Sequence, residues 1–501
     1  MSRIEDALFA SAARVPSKVG VVDGDRSLTF SELRHASLAL GDELAERGVR
    51  PGDRVGIFLD KTLEAVVALY GVWMAGGVAV PINEGLHAKQ VRHILDDSGA
   101  RILISSARKL AALDASATSD VEHAKVDLPS LAGGGWKPPS RKLLGGEIPA
   151  IILYTSGSTG RPKGILISHA NLVAGARIVT SYLEIQEDER ILSVLPFSFD
   201  YGLNQLLTAV GQSATIFLLR SHFPPDICRA LERFEITAMA GVPTLWIQLM
   251  QRHSPLPKLA LPRLRYITNS GGVFPVGLVS QYRERLPKTR LFLMYGLSEA
   301  FRSTYLPPSE LDRRPHSMGR AIPETEIFAV DEHGRECDVD CVGELVHAGP
   351  TVSLGYWNRP DATAAVFRPD PRRPDAGGPP VVYSGDLVRR DAEGFFTFVG
   401  RRDQQIKSHG FRISPEEVEE AIQGSNLVAE VIARGVPDDV AGMIVEVHVV
   451  PRDPDRFDAE KLRAYCEAEM PRYMVPQRIR VHAALPRTSS GKVDRAGVGA
   501  S

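Results

Sequence analysis

Apolar and polar positions follow two periods along this chain. Residues 54–59 (RVGIFL) are apolar almost throughout, as in a strand buried on both faces. Residues 64–74 have helical length, and 78–82 (VAVPI) form a second apolar run. Residues 91–97 read as a helix and 101–105 as another strand. Strand and helix in alternation predict a parallel sheet with helices on its faces. Between Glu64 and Glu84 there is no charge, which meets the length criterion for a membrane helix. Gly71, Gly76, Gly77 and Pro81 interrupt that stretch, so it reads as helix, stop and buried strand.

The pattern breaks in three places. Residues 128–149 are rich in Gly, Pro, Ser and Lys and read as a linker between two lobes. Residues 368–380 (RPDPRRPDAGGPP) read as a surface insertion. From about residue 404 a small α+β unit begins. Ser414-Pro415-Glu416-Glu417 reads as a capping box with proline at the first helical position, opening a helix to about residue 423. Residues 429–433 and 444–450 then read as strands. The expected fold class is α/β: an N-terminal domain, 1–402, of two parallel-sheet lobes plus a β subdomain, then a small α+β domain, 403–501.

Composition narrows the field. The chain has 501 residues, enough for two to four domains at about 150 residues each. It is 44% hydrophobic and 24% charged, which excludes collagen, disorder and a multi-span membrane protein. Lys plus Arg number 59 against 61 for Asp plus Glu, so nothing points to a nucleic-acid polymer or a membrane surface as partner. Cys228, Cys337, Cys341 and Cys466 include no CxxC pair and read as reduced structural thiols. The first twenty residues carry Glu5 and Asp6 and no long apolar core, so a cytoplasmic protein is expected.

The most informative stretch is YTSGSTGRPKG at 154–164. Its glycines let backbone N–H groups approach a polyphosphate closely, its hydroxyls add donors, and Lys163 adds charge. The spacing is not that of a Walker A loop, so a kinase or GTPase reading fails. Four further motifs follow in order. Tyr295-Gly-Leu-Ser-Glu299 offers a carboxylate suited to a hard cation such as Mg²⁺. Tyr383-Ser-Gly-Asp386 presents an acid after a tight turn, suited to a ribose diol. GRRDQQIK at 400–407 lies where the last lobe begins, and PRTSSGK at 486–492 puts Lys492 on a small-residue loop.

In this order, across more than three hundred residues, these motifs resemble those of the adenylate-forming superfamily: acyl-CoA synthetases, adenylation domains of peptide synthetases, and luciferases. Ser298 stands for the commoner Thr and Arg487 for the commoner Lys. The resemblance implies ATP and Mg²⁺ and a two-step reaction. A carboxylate attacks the α-phosphorus of ATP to give an acyl-adenylate and pyrophosphate; a pantetheine thiol then displaces AMP. It implies that Lys492 bridges the carboxylate and the α-phosphate and that Glu299 holds Mg²⁺. Thr155, Ser156, Gly157, Ser158, Thr159, Gly160 and Lys163 would form the phosphate loop. Gly271, Gly272 and Tyr295 would flank the adenine, Asp386 and Arg401 would hold the ribose, and Gly296 and Ser298 would also bind ATP. It further implies a mobile C-terminal domain hinged at Asp403, with Lys407 and Gly410 facing the site in the thiolation step.

The acid is less legible. LPFSFDYGLN at 195–204 lacks the histidine of many acyl-CoA ligases and carries Phe199-Asp200, similar to the FDxS pattern of amino-acid adenylation domains. Asp200 either anchors a substrate ammonium or caps a helix beginning at Tyr201. Arg302 either reaches a second substrate group or forms a structural salt bridge. FSFDYGLNQL, YGLSEAFRSTYLPP and RRPHSMGRAIP are similar to stand-alone ligases of exosortase systems and of amino-acid-primed polyketide pathways. No DSL-type carrier motif is present, so the thiol belongs to CoA or to a separate carrier protein. The reading is an amino acid loaded onto a discrete carrier protein. The alternative is an AMP-forming acyl-CoA synthetase for a fatty or aryl acid; a non-catalytic nucleotide-binding scaffold is a third, which the intact motifs disfavour.

Overall fold

The computed structural model describes the chain except residues 1–2, 112, 114–117, 119, 127, 129–146, 156–161, 374–376, 403–405, 409–410, 439–441, 471–473, 489–490, 496 and 500–501. The apolar runs pair as their period demands. Pro149–Thr155, Val78–Pro81, Arg54–Phe58, Ile102–Ser105 and Glu122–Ala124 form a parallel array, extended antiparallel by Lys163–Ser168 and Gly355–Tyr356. The uncharged segment forms the helix Leu63–Met74 and the strand Val78–Pro81. That helix is buried nearly all round, which explains its apolarity without a bilayer. Among the described residues no helix is long and apolar enough to cross a membrane.

A second sheet holds the strands that shape the site. Arg290–Tyr295, Tyr266–Asn269, Ala238–Gly241, Arg190–Ser193, Thr215–Leu218 and Val19–Asp23 run parallel. Past Arg290–Tyr295 the same sheet turns antiparallel through Thr304–Leu306, Ser317–Ala321, Phe396–Arg401, Val381–Arg390, Val342–Ala348 and Glu326–Val330. The β subdomain is thus hydrogen-bonded onto a parallel lobe, a continuity that strand patterning does not reveal. One apolar core spans both lobes, with Trp73 donating its indole N–H across it to the Ala150 carbonyl at 2.8 Å.

Residues beyond 405 keep their own sheets: a hairpin of Ile406–Ser408 and Phe411–Ile413, and a three-stranded sheet of Val428–Asp438, Gly442–Pro451 and Arg478–Val481. Helices Pro415–Gly424 and Ala459–Glu469 cover their own apolar core. The capping box expected at Ser414 does not form. Ser414 is the N-cap residue, but its hydroxyl donates to the Val399 carbonyl at 2.6 Å and lies 2.8 Å from the Glu416 carboxylate. That bond to Val399 ties the helix to the strand Phe396–Arg401, a tertiary use that outweighs the local cap.

Candidate active site

In an open parallel sheet, the loops leaving the carboxyl ends of the strands converge on one crevice. Three loops meet there. Arg190–Ser193 leads through residues 194–199 into the helix Asp200–Gly211. Tyr266–Asn269 leads into Ser270, Gly271 and Gly272; Arg290–Tyr295 leads into residues 296–303. The first helical turn presses on the loop before it: a β-carbon on Gly202 would lie 2.2 Å from the Pro196 carbonyl, so only glycine fits.

Lys492 enters this crevice from the last lobe. Thr488 and Lys492 close its loop, the Thr488 N–H donating to the Lys492 carbonyl at 2.7 Å. Arg487 grips Glu430 with one guanidinium nitrogen, at 2.6 and 2.8 Å, so the arginine that replaces the commoner lysine anchors the loop. Thr244 of the large domain donates its hydroxyl to the Gly491 carbonyl at 3.3 Å. The Lys492 ammonium sits 5.2 Å from the centre of the Phe199 ring. Gly271 has φ +81°, and a β-carbon there would come within 2.9 Å of the Lys492 side chain. Burial pulls the Lys492 pKa down; Asp200 and Asp386 push it back up, and Arg302 adds to the depression.

Asp386 is held tightly. Arg401 donates to one of its oxygens at 2.8 Å and the Tyr295 hydroxyl donates to the other. Burial raises its pKa against the pull of Arg401 and Tyr295. The turn before it is braced by Glu344, which accepts from the Gly385 N–H at 3.0 Å and from Arg402 at 2.7 Å. His347 stacks beside Tyr295 with ring centres 6.1 Å apart.

Glu299 faces a different group. The Tyr356 hydroxyl donates to its carboxylate at 2.6 Å, and the Lys163 ammonium lies 5.7 Å from the Tyr356 ring centre. Thr155 pairs through its backbone with Lys163, so the glycine-rich segment leaves and returns at one point, and its Lys163 end shares the Tyr356 ring with Glu299. Residues 156–161, with Ser156, Gly157, Ser158, Thr159 and Gly160, lie outside the described residues. A single carboxylate such as Glu299 suits Mg²⁺, which proteins commonly hold by one or two carboxylates.

Asp200 and Arg302 come together, 4.0 Å apart, with 5% and 3% of their side chains exposed. The helix begins at Asp200 itself, Phe199 is its N-cap, and no side chain caps it. Of the two readings of Asp200, the helix cap does not form, since the residue lies one position too far along. Arg302 has φ +90°, a backbone strain of about 1–3 kcal/mol that turns it inward. Its guanidinium lies 4.5 Å from the centre of the Tyr201 ring. Arg302 also lines a cavity of about 30 Å³ with Tyr201, Asn204, Gln205, Thr268 and Met294 among its walls.

Of the other expected site residues, Lys407 pairs through its backbone with Arg412 in the hairpin of the last lobe. Asp403 and Gly410 lie outside the described residues. Gly272 accepts at its carbonyl from the Asn269 side chain at 3.1 Å, and Gly296 packs against the Arg302 backbone. Ser298 sits half-buried beside Glu299. Sequence reasoning missed Tyr356 and Glu344, which are remote from the motifs they serve, and gave no role to Asn204, which closes the LPFSFDYGLN stretch. It also missed Lys61, whose buried ammonium donates to the Leu195 carbonyl at 3.1 Å just before Asp200. Burial pulls the pKa of Lys61 down to about 7.

This arrangement of two lobes, a lysine-bearing last lobe and a crevice of nucleotide-type loops defines an adenylate-forming enzyme. The AMP-binding enzyme family matches residues 8–357 and the AMP-binding enzyme C-terminal domain matches residues 417–492, so the chain belongs to the AMP-binding enzymes. It is an ATP-dependent, AMP-forming ligase that works with Mg²⁺ and a thiol acceptor. Feruloyl-CoA synthase of Amycolatopsis sp is 32% identical over 487 residues, covering 95% of this chain and 94% of that protein. Tyrocidine synthase 3 of Brevibacillus parabrevis is 28% identical over 494 residues, covering 96% of this chain but 7% of that much longer protein. The o-succinylbenzoate CoA synthetase of Bacillus subtilis in complex with its acyl-adenylate superposes with a TM-score of 0.86 at 27% identity, over 98% of this chain and 97% of that one. The same enzyme in complex with ATP and magnesium ion superposes with a TM-score of 0.85.

Proposed function

We propose that this ligase activates a small amino acid and passes it to the pantetheine thiol of a separate carrier protein. The observation that carries the reading is the buried, loosely paired Asp200, whose partner Arg302 lines a cavity of about 30 Å³. A cavity of about 150 Å³ is known to take up benzene, and one of about 30 Å³ favours a small acid over an aryl or long fatty one. A buried carboxylate with one partner at 4.0 Å has hydrogen-bonding capacity left for an ammonium.

On this reading Lys492 neutralises the substrate carboxylate and the α-phosphate as they approach, each repelling the other until a cation lies between them. The carboxylate oxygen bonds to the α-phosphorus and pyrophosphate leaves. Glu299 would hold the Mg²⁺, which offsets phosphate charge when bound. Thr155, Lys163 and the loop between them hold the β- and γ-phosphates. Asp386, Arg401, Tyr295, Gly271 and Gly272 hold the nucleoside, and Arg302 orients Asp200. Asp403, Lys407 and Gly410 serve the second step, in which the domain of residues 403–501 turns about residue 403 against that of residues 1–402. We place the reaction in the cytoplasm, where ATP is supplied and four unpaired thiols stay reduced.

Pyrophosphate exchange with an amino acid and its des-amino analogue tests the reading. The amino acid is expected to be preferred, and Asp200→Asn to erode that preference at least about tenfold, since a hydrogen bond to a charged group contributes about 1.5–3 kcal/mol. A preference for the des-amino acid in the wild type, or an unchanged ratio in the variant, supports the acyl-CoA synthetase instead. AMP release with a phosphopantetheinylated carrier protein against CoA decides the acceptor.

A further inference from the structure

We propose that the acid pocket is built for a short side chain ending in a hydroxyl group, as in a hydroxylated amino acid of three or four carbons. The proposal rests on the amino-acid reading above for the identity of the substrate's other substituent, but its own evidence is separate. Three of the residues lining the cavity carry a buried polar atom with no hydrogen-bond partner among the described residues: Asn204 Nδ2, Gln205 Oε1 and Arg302 Nε. The neighbouring polar groups are already engaged. Tyr201 and Thr268 share a hydroxyl–hydroxyl bond, and Thr208 donates to the Asn204 and Gln205 backbone carbonyls at 2.9 and 3.2 Å.

The free atoms are therefore two donors and one acceptor. A hydroxyl has two lone pairs and one proton, and so offers a counterpart to both kinds of free atom. That matters in a cavity of about 30 Å³, which holds little more than a water molecule or two. A methyl group in the same place satisfies none of them and leaves buried polar atoms unpaired, the costly case. A carboxylate accepts only; it sets an anion against the Gln205 oxygen, and the cation beside it, Arg302, is already matched by Asp200. Residues 204 and 205 are consecutive on the helix that Asp200 opens, so substrate side chain and ammonium would be read from the same element.

The test is pyrophosphate exchange on a two-by-two set of acids. Serine and 2-aminobutyrate differ only by hydroxyl against methyl; 3-hydroxypropanoate and butanoate repeat that difference without the amino group. Homoserine and norvaline extend it by one carbon. The hydroxyl member of at least one pair is expected to exceed its methyl partner by about tenfold or more in kcat/KM, because a site built to hydrogen-bond a hydroxyl rejects the analogue that lacks it. Gln205→Met, which keeps length and loses the acceptor, is expected to shrink that ratio towards one, as is Asn204→Leu if the first variant does not fold. A hydroxyl advantage that survives while the amino members lose to the des-amino ones supports the pocket and refutes the amino-acid reading. Equal rates across each hydroxyl–methyl pair overturn the proposal and leave a resident water as the cavity's occupant. Activity confined to long or aryl acids overturns it as well.

Discussion

Two buried aspartates, each facing an arginine, act on Lys492, and their surroundings are built differently. Asp386 is held on both oxygens: Arg401 donates at 2.8 Å to one, Tyr295 donates to the other, and Glu344 braces the turn that carries it. Asp200 faces Arg302 at 4.0 Å, and Arg302 Nε finds no partner among the described residues. Both carboxylates are buried, so the contrast is not one of solvent. It is one of how many bonds the protein makes for itself. On the proposed roles, Asp386 meets the same nucleotide at every turnover and gains from being held rigidly in advance. A group that selects one acid among many gains from leaving bonds for that acid to complete.

The largest expected effect concerns the lysine shared by both pairs. Lys492→Ala should lower adenylate formation by about 10²–10³ while leaving thiolysis of a supplied acyl-adenylate largely intact. Equal loss in the two half-reactions would give the lysine a structural role only. Gly271→Ala should mimic this selectively. Its β-carbon meets the Lys492 side chain at 2.9 Å, so adenylation falls while thiolysis persists, and a variant that slows both equally would break the docking argument.

The two arginines sharpen the contrast through stability. Arg302→Met leaves Asp200 buried without its partner and should cost about 3–5 kcal/mol in urea unfolding. Arg401→Met should cost no more than about 1 kcal/mol, because Arg401 is more than a third exposed and Asp386 keeps Tyr295. Matching losses would show that the loose pair is no less self-sufficient than the tight one.

The remaining effect is a pH slope on the Asp386 side. His347, behind Tyr295, is fully buried, and burial pushes its pKa from 6.5 down to about 3. The unfolded chain binds a proton near pH 6.5 that the folded chain does not accept until about pH 3. Between those values the unfolded state holds more protons, so stability falls as pH drops, by up to about 1.4 kcal/mol per pH unit from this residue. Glu5 and Glu419, both raised to about 7 by burial, act in the opposite direction. The difference between wild type and His347→Phe cancels them, and should show a shallower acid slope in the variant.

Much of this protein was legible from its residues. Continuous apolar runs at 54–58, 78–81 and 102–105 became parallel strands because such runs suit a sheet covered on both faces. The uncharged stretch after Glu64 became helix and strand because Gly76 and Gly77 stop the helix. The ordered motifs named the chemistry, since phosphate loops and acid turns are short and local. Tertiary structure alone decided what Asp200 faces, because Arg302 is about a hundred positions away and is turned inward only by the loop after residue 295. It alone placed Tyr356 on Glu299, drew Ser414 from its helix to the Val399 carbonyl, and left three polar atoms unpaired around one small cavity. Local patterns specify which elements form and which loops can hold a phosphate. Which buried atoms remain free for a substrate depends on every neighbour that the fold brings to them.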